Sequence, residues 1–236
     1  MKYKFKDIVV IKLGGSIIYS SYKIDINYLK KFKAFIEKEL NKNKKRKFLI
    51  VVGGGYLARF LQSIAQKINK NTTDQVKDAL GIYTTKINAE IIKNLFDKSV
   101  VNSEIIDSKQ KLRNLKYRIT ILSGWTPGNS TDYIAAQVTH LLNLKEYIIA
   151  TKTDFVYNKN PEEYKNAVPL QQISWKEYLT EIVPPVWKPG SKFPIDVEAA
   201  KLSRKNKLKA FVINGKNLKN FSNLLNDKNF KGTFVY

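Results

Sequence analysis

Three apolar segments in this sequence are each followed by a glycine-rich loop and a helical pattern. The segments are residues 8–13, 48–52 and 119–122, and the loops begin at Gly14, Gly53 and Gly124. Apolar strand patterns at 147–151 and 208–213 continue the alternation in the second half. Repeated strand–helix alternation is typical of a mostly parallel sheet covered by helices on both faces. The sequence therefore predicts an α/β fold.

The remaining patterns predict the elements around this sheet. Residues 74–96 form one long helical pattern that Gly81 interrupts, and Pro194 is expected to open a later helix. Residues 232–236 are expected to form a last, antiparallel strand at the edge of the sheet. The proline-rich stretch 184–194 predicts a long irregular loop, and loops of that length are often functional.

The glycine loops and one lysine indicate phosphate binding. Open α/β sheets bind ligands at the carboxyl ends of their strands, and glycine lets phosphate oxygens approach the backbone. Lys12 lies two residues before the pair Gly14 and Gly15, and residues 130–132 lie at a predicted helix N-terminus, where free N–H groups favour anions. The sequence contains neither a Walker loop nor a G-x-G-x-x-G fingerprint, which disfavours P-loop kinases and typical Rossmann dehydrogenases.

Composition disfavours several further classes of protein. The sequence has no cysteine and a single histidine, His140, which argues against disulfides, thiolate or histidine-rich metal sites and Ser-His-Asp chemistry. No apolar run approaches the roughly 20 residues that cross a bilayer, and the first residues lack a signal-peptide core, so we expect no membrane partner. The net charge of +22 is spread along the chain. We therefore expect binding to nucleic acid to be at most nonspecific.

Six segments resemble motifs of the amino acid kinase family, in the same order along the chain. They are 11–16 (IKLGGS), 52–59 (VGGGYLAR), 78–89 (DALGI and, later, NA), 124–132 (GWTPGNSTD), 150–161 (ATKTDFVY and, later, P) and 194–201 (PIDVEAAK). Because the match runs from end to end, it is more specific than any single loop. Within the family, the segments are most similar to the kinases that phosphorylate UMP, of the archaeal-like type.

The resemblance implies a three-layer αβα sandwich with an open, mostly parallel sheet, formed by residues 1–236 as a single domain. An acceptor (UMP) lobe would cover about residues 1–140 and a nucleotide (ATP) lobe about residues 141–236. The implied reaction is phosphoryl transfer from ATP, with Mg²⁺ as cofactor, to UMP, giving UDP and ADP in pyrimidine nucleotide biosynthesis. The resemblance also implies a cytoplasmic enzyme that assembles as a homo-oligomer, usually a hexamer.

The positions that match the motifs take the roles that the family implies. Lys12 and Asp132 are the implied catalytic residues, with Lys12 neutralising the transferred phosphoryl group and Asp132 ordering the reaction centre. The implied ATP-binding residues are Gly14, Gly15, Gly55, Arg59, Thr151, Lys152, Tyr157 and Asn160. The implied UMP-binding residues are Gly54, Asp78, Gly124, Trp125, Thr126, Pro127, Gly128, Asn129, Ser130 and Thr131. No protein metal ligand is implied.

Two positions depart from the family pattern. Phe155 stands where glycine is usual, and Asn160, which keeps hydrogen-bonding capacity but carries no charge, stands where aspartate is usual.

Other members of the family are alternatives: isopentenyl phosphate kinases typically have a histidine near the first catalytic loops, and acetylglutamate kinase and aspartokinase lack the combination of Asp78 with the 127–132 pattern. A further alternative is a non-enzymatic relative that binds an anion or nucleic acid, and only the net charge suggests it.

Overall fold

The structure, a computed structural model, describes residue 5 and residues 7–20, 22–113, 115–186 and 193–236. Residues 187–192, which make up much of the proline-rich stretch predicted to be a functional loop, lie outside the described residues. The strands are β1 Ile8–Leu13, β2 Tyr19–Ser20, β3 Lys23–Ile24, β4 Lys47–Val52, β5 Ile119–Leu122, β6 Glu146–Thr151, β7 Val156–Tyr157, β8 Pro169–Leu170, β9 Gln172–Ile173, β10 Lys209–Asn214 and β11 Thr233–Val235. The helices are α1 Gly15–Ile18, α2 Ile26–Lys42, α3 Gly55–Ile68, α4 Asp74–Lys93, α5 Thr131–Leu141, α6 Trp175–Glu177 with the π-helical turn Tyr178–Ile182, α7 Val197–Lys205 and α8 Leu218–Leu225.

Among the described residues, seven strands form one sheet in the order β5-β4-β1-β6-β10-β11-β9. The first five strands in this order pair in parallel, whereas β11 is antiparallel to β10. In this register Lys12 lies beside Val51 of β4 and Ile149 of β6. The carboxyl ends of the parallel strands therefore meet at one edge, and the predicted α/β fold with a mostly parallel sheet is confirmed.

Helices cover both faces of the sheet and give three layers. One core contains buried side chains of α2, α8 and the second half of α4, and the other contains those of α5, α6 and α7. Val9 and Ile11 of β1 belong to the first core, whereas Val10 belongs to the second. Because alternate residues of a strand point to the same face, Lys12 shares the face of Val10, which is the face that α5 covers.

Three local predictions are wrong. α4 runs through Gly81 without a break, because one glycine inside a long, capped helix costs only about 1 kcal/mol. α7 begins at Val197 rather than at Pro194, because the carboxylate of Asp196 accepts the first free backbone N–H groups of the helix. β11 does not lie at the edge of the sheet, because β9 pairs with its outer side in parallel.

The chain between β6 and β9 leaves the sheet and forms a small antiparallel pair, β7 with β8. A search of the described residues for membrane-spanning helices finds none that is sufficiently long and apolar.

Candidate active site

One cavity of about 710 Å³ lies at the carboxyl ends of β1, β4, β5 and β6. All three predicted glycine loops reach it, through Gly14 and Gly15 after β1, Gly54 after β4 and Gly124 after β5. Thr151, at the end of β6, forms part of the same wall. A cavity of this size is in the range of sites that bind small molecules.

The first two glycine loops touch through their backbones. A Cβ atom added to Gly15 would lie 2.1 Å from the Gly55 nitrogen, and Gly55 itself has a φ of +65°. That φ lies in the left-handed region, which favours glycine. A side chain at either position would separate the loops, so the two glycines together keep the backbone of both loops at the wall of the cavity.

Buried Asn88 of α4 holds the second glycine loop. Its Nδ2 donates to the carbonyl oxygens of Gly53 (2.8 Å) and Gly54 (3.0 Å), and its Oδ1 accepts from the Tyr19 hydroxyl (2.8 Å). Asn88 lies within the segment 78–89 that resembles a family motif, but it was not among the predicted site residues. The available signal was an asparagine inside a helix, which is unfavourable there unless its side chain has partners.

Lys12 and Asp132 form an ion pair beside the glycine loops. Lys12 Nζ lies 2.8 Å from Asp132 Oδ1, and the two side chains are 14% and 10% exposed. The ammonium is not aligned for a hydrogen bond, and within the described residues this buried oxygen has no hydrogen-bond partner. Asp132 lies in the first turn of α5, where the helix dipole favours a carboxylate. Lys12 lines the cavity, whereas Asp132 is not among the residues that line it.

Ser130 caps α5 and connects it to α7. Its Oγ accepts from the backbone N–H groups of Asp132 (3.0 Å) and Tyr133 (3.1 Å) and donates to Asp196 Oδ2. Asp196 is 6% exposed. Burial, and secondarily the charge of Asp132, raise the pKa of the Asp196 carboxyl to about 6.

Asp196 was not among the predicted site residues, although segment 194–201 contained it. Its signal in the sequence was an acidic residue directly before a helical pattern, the position of an N-cap.

The loop between β5 and α5 is fixed by hydrogen bonds to α4. The Gly124 N–H donates to Thr85 Oγ1 (2.8 Å), and the Gly128 N–H donates to Asp78 Oδ2 (2.7 Å). Burial raises the pKa of the Asp78 carboxyl, and the Gly128 bond opposes this shift. Thr85 was not among the predicted site residues, because nothing in the helical pattern around it indicated that its hydroxyl would accept from this loop.

Three of the predicted UMP-binding residues do not line the cavity: Trp125, Pro127 and Gly128. The Trp125 indole Nε1 donates to the Ile106 carbonyl (3.2 Å), and its ring packs against the second core. Pro127 and Gly128 are exposed. The structure thus gives Trp125 and Gly128 contacts that shape the loop.

Charged and polar groups line the opposite side of the cavity, after β6. Lys152 pairs with Glu162, and the two side chains are 53% and 51% exposed. Asn160 donates through Nδ2 to Glu163 Oε1 (2.6 Å) and accepts from the Glu162 N–H (3.0 Å). The departure from the family pattern, Asn160, therefore serves here to close a local turn.

Aromatic side chains complete this side. The rings of Phe155 and Tyr157 meet edge to face, with centroids 6.3 Å apart. Phe155 lines the main cavity and also a second one on its other side, so that its ring forms part of the wall between them.

Most of the predicted site residues surround the main cavity. Those that line it are Lys12, Gly14, Gly15, Gly54, Gly55, Arg59, Asp78, Gly124, Thr126, Asn129, Ser130, Thr131, Thr151, Lys152, Tyr157 and Asn160. Gln62, Thr85, Phe155 and Glu162 also line it and were not predicted. In the described ranges, no group of three or more His, Cys, Asp or Glu side chains could hold a metal ion.

Comparison with known proteins agrees with this architecture. The family described as Amino acid kinase family matches residues 7–214. A uridylate kinase of Thermoplasma volcanium is 31% identical over 93% of each chain, and one of Thermoplasma acidophilum is 29% identical over 96% of each chain. The crystal structure of uridylate kinase from Archaeoglobus fulgidus matches 100% of both chains with a TM-score of 0.80 and 26% identity. This chain belongs to the amino acid kinase family.

Proposed function

We propose that this chain is a uridylate kinase, which transfers the terminal phosphoryl group of ATP to UMP and releases UDP and ADP. The observation that carries the proposal is the position of Lys12, a cation at the meeting point of two glycine loops and the end of β6. The uridylate kinases that resemble this chain over almost its full length support the same reaction.

Lys12 acts on the transferred group in the proposed mechanism. A phosphate oxygen of UMP attacks the terminal phosphorus of ATP, and the bond from that phosphorus to the oxygen bridging to ADP breaks. Such a reaction requires alignment and charge neutralisation more than covalent chemistry from the protein. Lys12 Nζ neutralises the charge that develops, and the backbone amides of Gly15 and Gly55 bind phosphate oxygens. The Gly14 N–H donates to the Ala150 carbonyl (2.9 Å), so Gly14 contributes by letting the phosphates approach the loop. Asp132 orients the Lys12 ammonium through the 2.8 Å contact.

The two substrates occupy opposite sides of the cavity in this proposal. UMP binds between Gly54 and the loop 124–131, with Asp78 accepting a hydrogen bond from its ribose. Trp125, Pro127 and Gly128 contribute by shaping that loop. ATP binds against the residues after β6, namely Thr151, Lys152, Tyr157 and Asn160, with Arg59 near its phosphates. This division corresponds to an acceptor lobe of about residues 1–140 and a nucleotide lobe of about residues 141–236.

Mg²⁺ enters with ATP in this proposal. Kinases commonly hold Mg²⁺ through substrate phosphates, one or two carboxylates and water, and this proposal assigns the ion to the phosphates of ATP. When bound, the ion would supply charge neutralisation at those phosphates. The substrates also place the enzyme in pyrimidine nucleotide biosynthesis, in the cytoplasm.

We propose a hexamer as the assembled state, consistent with the resemblance. The outer surfaces of α3 and α4, which pack against each other, expose several large apolar side chains. They are Phe60, Ile64, Ile68, Val76, Tyr83 and Ile87. A surface of this kind favours contact with another protein chain. Sedimentation of the chain and of an Ile68→Asp variant tests it: a smaller assembly for the variant supports this surface, and a monomeric wild-type chain contradicts the proposal.

Turnover with a panel of phosphate acceptors tests the proposed reaction. ATP and Mg²⁺ should support formation of UDP from UMP, and omission of Mg²⁺ should abolish it. Activity on CMP, isopentenyl phosphate or N-acetylglutamate without activity on UMP would overturn the assignment.

A further inference from the structure

One buried carboxylate, that of Asp196, connects the N-termini of two helices. Its Oδ1 accepts from the backbone N–H groups of Glu198 (2.8 Å) and Ala199 (3.0 Å) and so caps α7. Its Oδ2 accepts from the hydroxyl of Ser130, the residue that caps α5. The sequence separation of the two caps means that only the folded chain brings them together.

The Ser130 hydroxyl has no hydrogen-bonding capacity left. It accepts from the N–H groups of Asp132 and Tyr133 and donates its proton to Asp196, and a hydroxyl has one proton and two lone pairs. The first turn of α5 carries Asp132, whose Oδ1 lies 2.8 Å from Lys12 Nζ. A continuous chain of contacts therefore leads from Asp196 through Ser130 and Asp132 to Lys12.

We propose that Asp196 is a positioning residue for phosphoryl transfer: by accepting the Ser130 proton, it fixes the first turn of α5 and holds Asp132 against Lys12. The proposal rests on the proposed uridylate kinase function and adds a residue that lies outside the substrate cavity.

These hydrogen bonds of Asp196 and Ser130 form together when the Asp196 carboxyl is ionised. Oδ1 already accepts two N–H groups, so an added proton would go to Oδ2, which would then have to donate to Ser130 Oγ. Ser130 could accept this bond only by releasing Asp132 or Tyr133, which would loosen the cap of α5. The pKa of about 6 places this change near neutral pH.

Within the described part of the chain, the charged and titratable groups that act on Asp196 come from α5, β1, β6 and the turn after α6. Asp132 on α5, with its partner Lys12 on β1, raises the Asp196 pKa, secondarily to burial. Tyr147 of β6 and Tyr178 have pKa values raised by burial, and both feel the charge of Asp196. Because these tyrosines stay neutral over the working range of pH, Asp196 is the group expected to change charge near pH 6.

The variant Asp196→Asn reproduces the protonated state at every pH. Its amide oxygen caps α7 as well as a carboxylate does, which leaves Nδ2 to donate toward Ser130. We expect kcat at pH 8 to fall on the order of tenfold to a hundredfold, the cost of a small misplacement of catalytic groups, with the KM for UMP within about twofold. The acid limb of the wild-type kcat profile, centred near pH 6, should be lost. Asp25→Asn, which changes the cap of α2 far from the cavity, should change neither.

A second measurement does not depend on activity. In wild-type protein, the backbone amide NMR signals of Asp132 and Tyr133 should titrate with a midpoint near pH 6, and in Asp196→Asn they should not. An active wild type whose kcat and acid limb survive in Asp196→Asn overturns the positioning role. If the wild-type chain does not phosphorylate UMP, the proposed function fails, and the amide titration alone then decides: its absence overturns the coupling of Asp196 to α5, and its presence supports it.

Discussion

The two sides of the cavity are held in different ways. On the acceptor side, Asn88, Thr85 and Asp78 fix the backbone of two glycine-containing loops, and Asn88 and Thr85 are buried. On the donor side, the corresponding contacts are an exposed ion pair between Lys152 and Glu162 and short-range bonds within one turn. Buried hydrogen bonds hold a geometry firmly, whereas exposed ion pairs contribute little and exchange readily.

This difference matters for catalysis of the proposed kind. Alignment of the attacking phosphate with Lys12 must be set before the reaction, because reorganisation at that moment would raise the barrier. The donor side only has to accept and release a nucleotide, and contacts that exchange with solvent suit such a task. We therefore expect large effects for changes in the contacts that position Lys12 and small effects for changes in the turn at residues 152–163.

The largest effect is expected for Lys12→Ala. Removing the cation that neutralises the developing charge should lower kcat by about 100-fold, equivalent to about 3 kcal/mol, with a much smaller change in the KM for UMP. Lys86→Ala, which removes an ion pair with Asp107 outside the cavity, is the matched control and should leave both constants unchanged. Steady-state kinetics at saturating ATP decides the matter; a near-normal kcat for Lys12→Ala would mean that Lys12 does not act on the transferred phosphoryl group.

The buried carboxyl of Asp196 should also make the free energy of unfolding depend on pH. A carboxyl whose folded pKa is raised binds its proton more tightly in the folded state, so its contribution to stability is full below its unfolded pKa and is lost as pH rises through the folded pKa. The relevant window runs from the ordinary value of 3.8 to about 6. At about 1.4 kcal/mol per pKa unit, the loss is on the order of 2 to 3 kcal/mol.

Asp196→Asn lacks this loss because its amide does not ionise. The free energy of unfolding of the variant relative to wild type should therefore rise between pH 4 and pH 7 by an amount of that order. Urea unfolding at a series of pH values measures it. A difference that stays constant with pH would contradict a raised pKa. A higher stability together with a lower kcat in Asp196→Asn would mean that the buried charge of Asp196 serves catalysis and lowers stability.

The fold could be predicted from the sequence because the patterns that indicate its strands and helices lie within short segments of the chain. Strands β1 and β4 are apolar runs that end directly before a glycine, β5 ends two residues before Gly124, and β6 ends at Thr151. Parallel pairing is the arrangement that strand–helix alternation allows. The errors came where a tertiary contact decides the outcome. Pro194 was expected to begin α7, but the buried carboxylate of Asp196 sets the boundary, and no local signal showed that β9 would pair outside β11.

The site was predictable in its parts and less so in its connections. The glycine loops and Lys12 could be predicted because each lies at the carboxyl end of a strand, and the carboxyl ends of parallel strands meet at one edge of the sheet. The bond between Ser130 and Asp196, and the bond from Gly128 to Asp78, join residues that are far apart in the chain. Spacing within a motif carries no information about such partners.

A smaller effect is expected for Asp78→Ala. The change removes the acceptor of the Gly128 amide and, in the proposed complex, the partner of the ribose hydroxyls. The KM for UMP should rise about tenfold, or about 1.4 kcal/mol, with the KM for ATP nearly unchanged. The preference for UMP over dUMP should shrink, because a site that bonds a hydroxyl rejects the analogue without it.

Asp74→Ala is the control on the same helix, since Asp74 is exposed and pairs with Lys77. Kinetics of both variants with UMP and dUMP gives the comparison. Retention of the wild-type preference in Asp78→Ala would place this carboxylate outside the ribose site, and its role would then be limited to holding the loop at Gly128.

The smallest effect is expected on the donor side, for Glu162→Gln. The exposed pair with Lys152 competes with the phosphates of ATP for the same ammonium, so removal of the Glu162 charge should lower the KM for ATP. Exposed ion pairs are weak, which limits the change to about two- to fivefold at low salt, and the difference should vanish as salt screens both interactions. Glu37→Gln, which removes a similarly exposed pair with Lys33, should leave the KM for ATP unchanged. If Glu162→Gln instead raises that KM or lowers kcat strongly, the turn after β6 takes part in alignment as firmly as the acceptor loop does, and the contrast between the two sides fails.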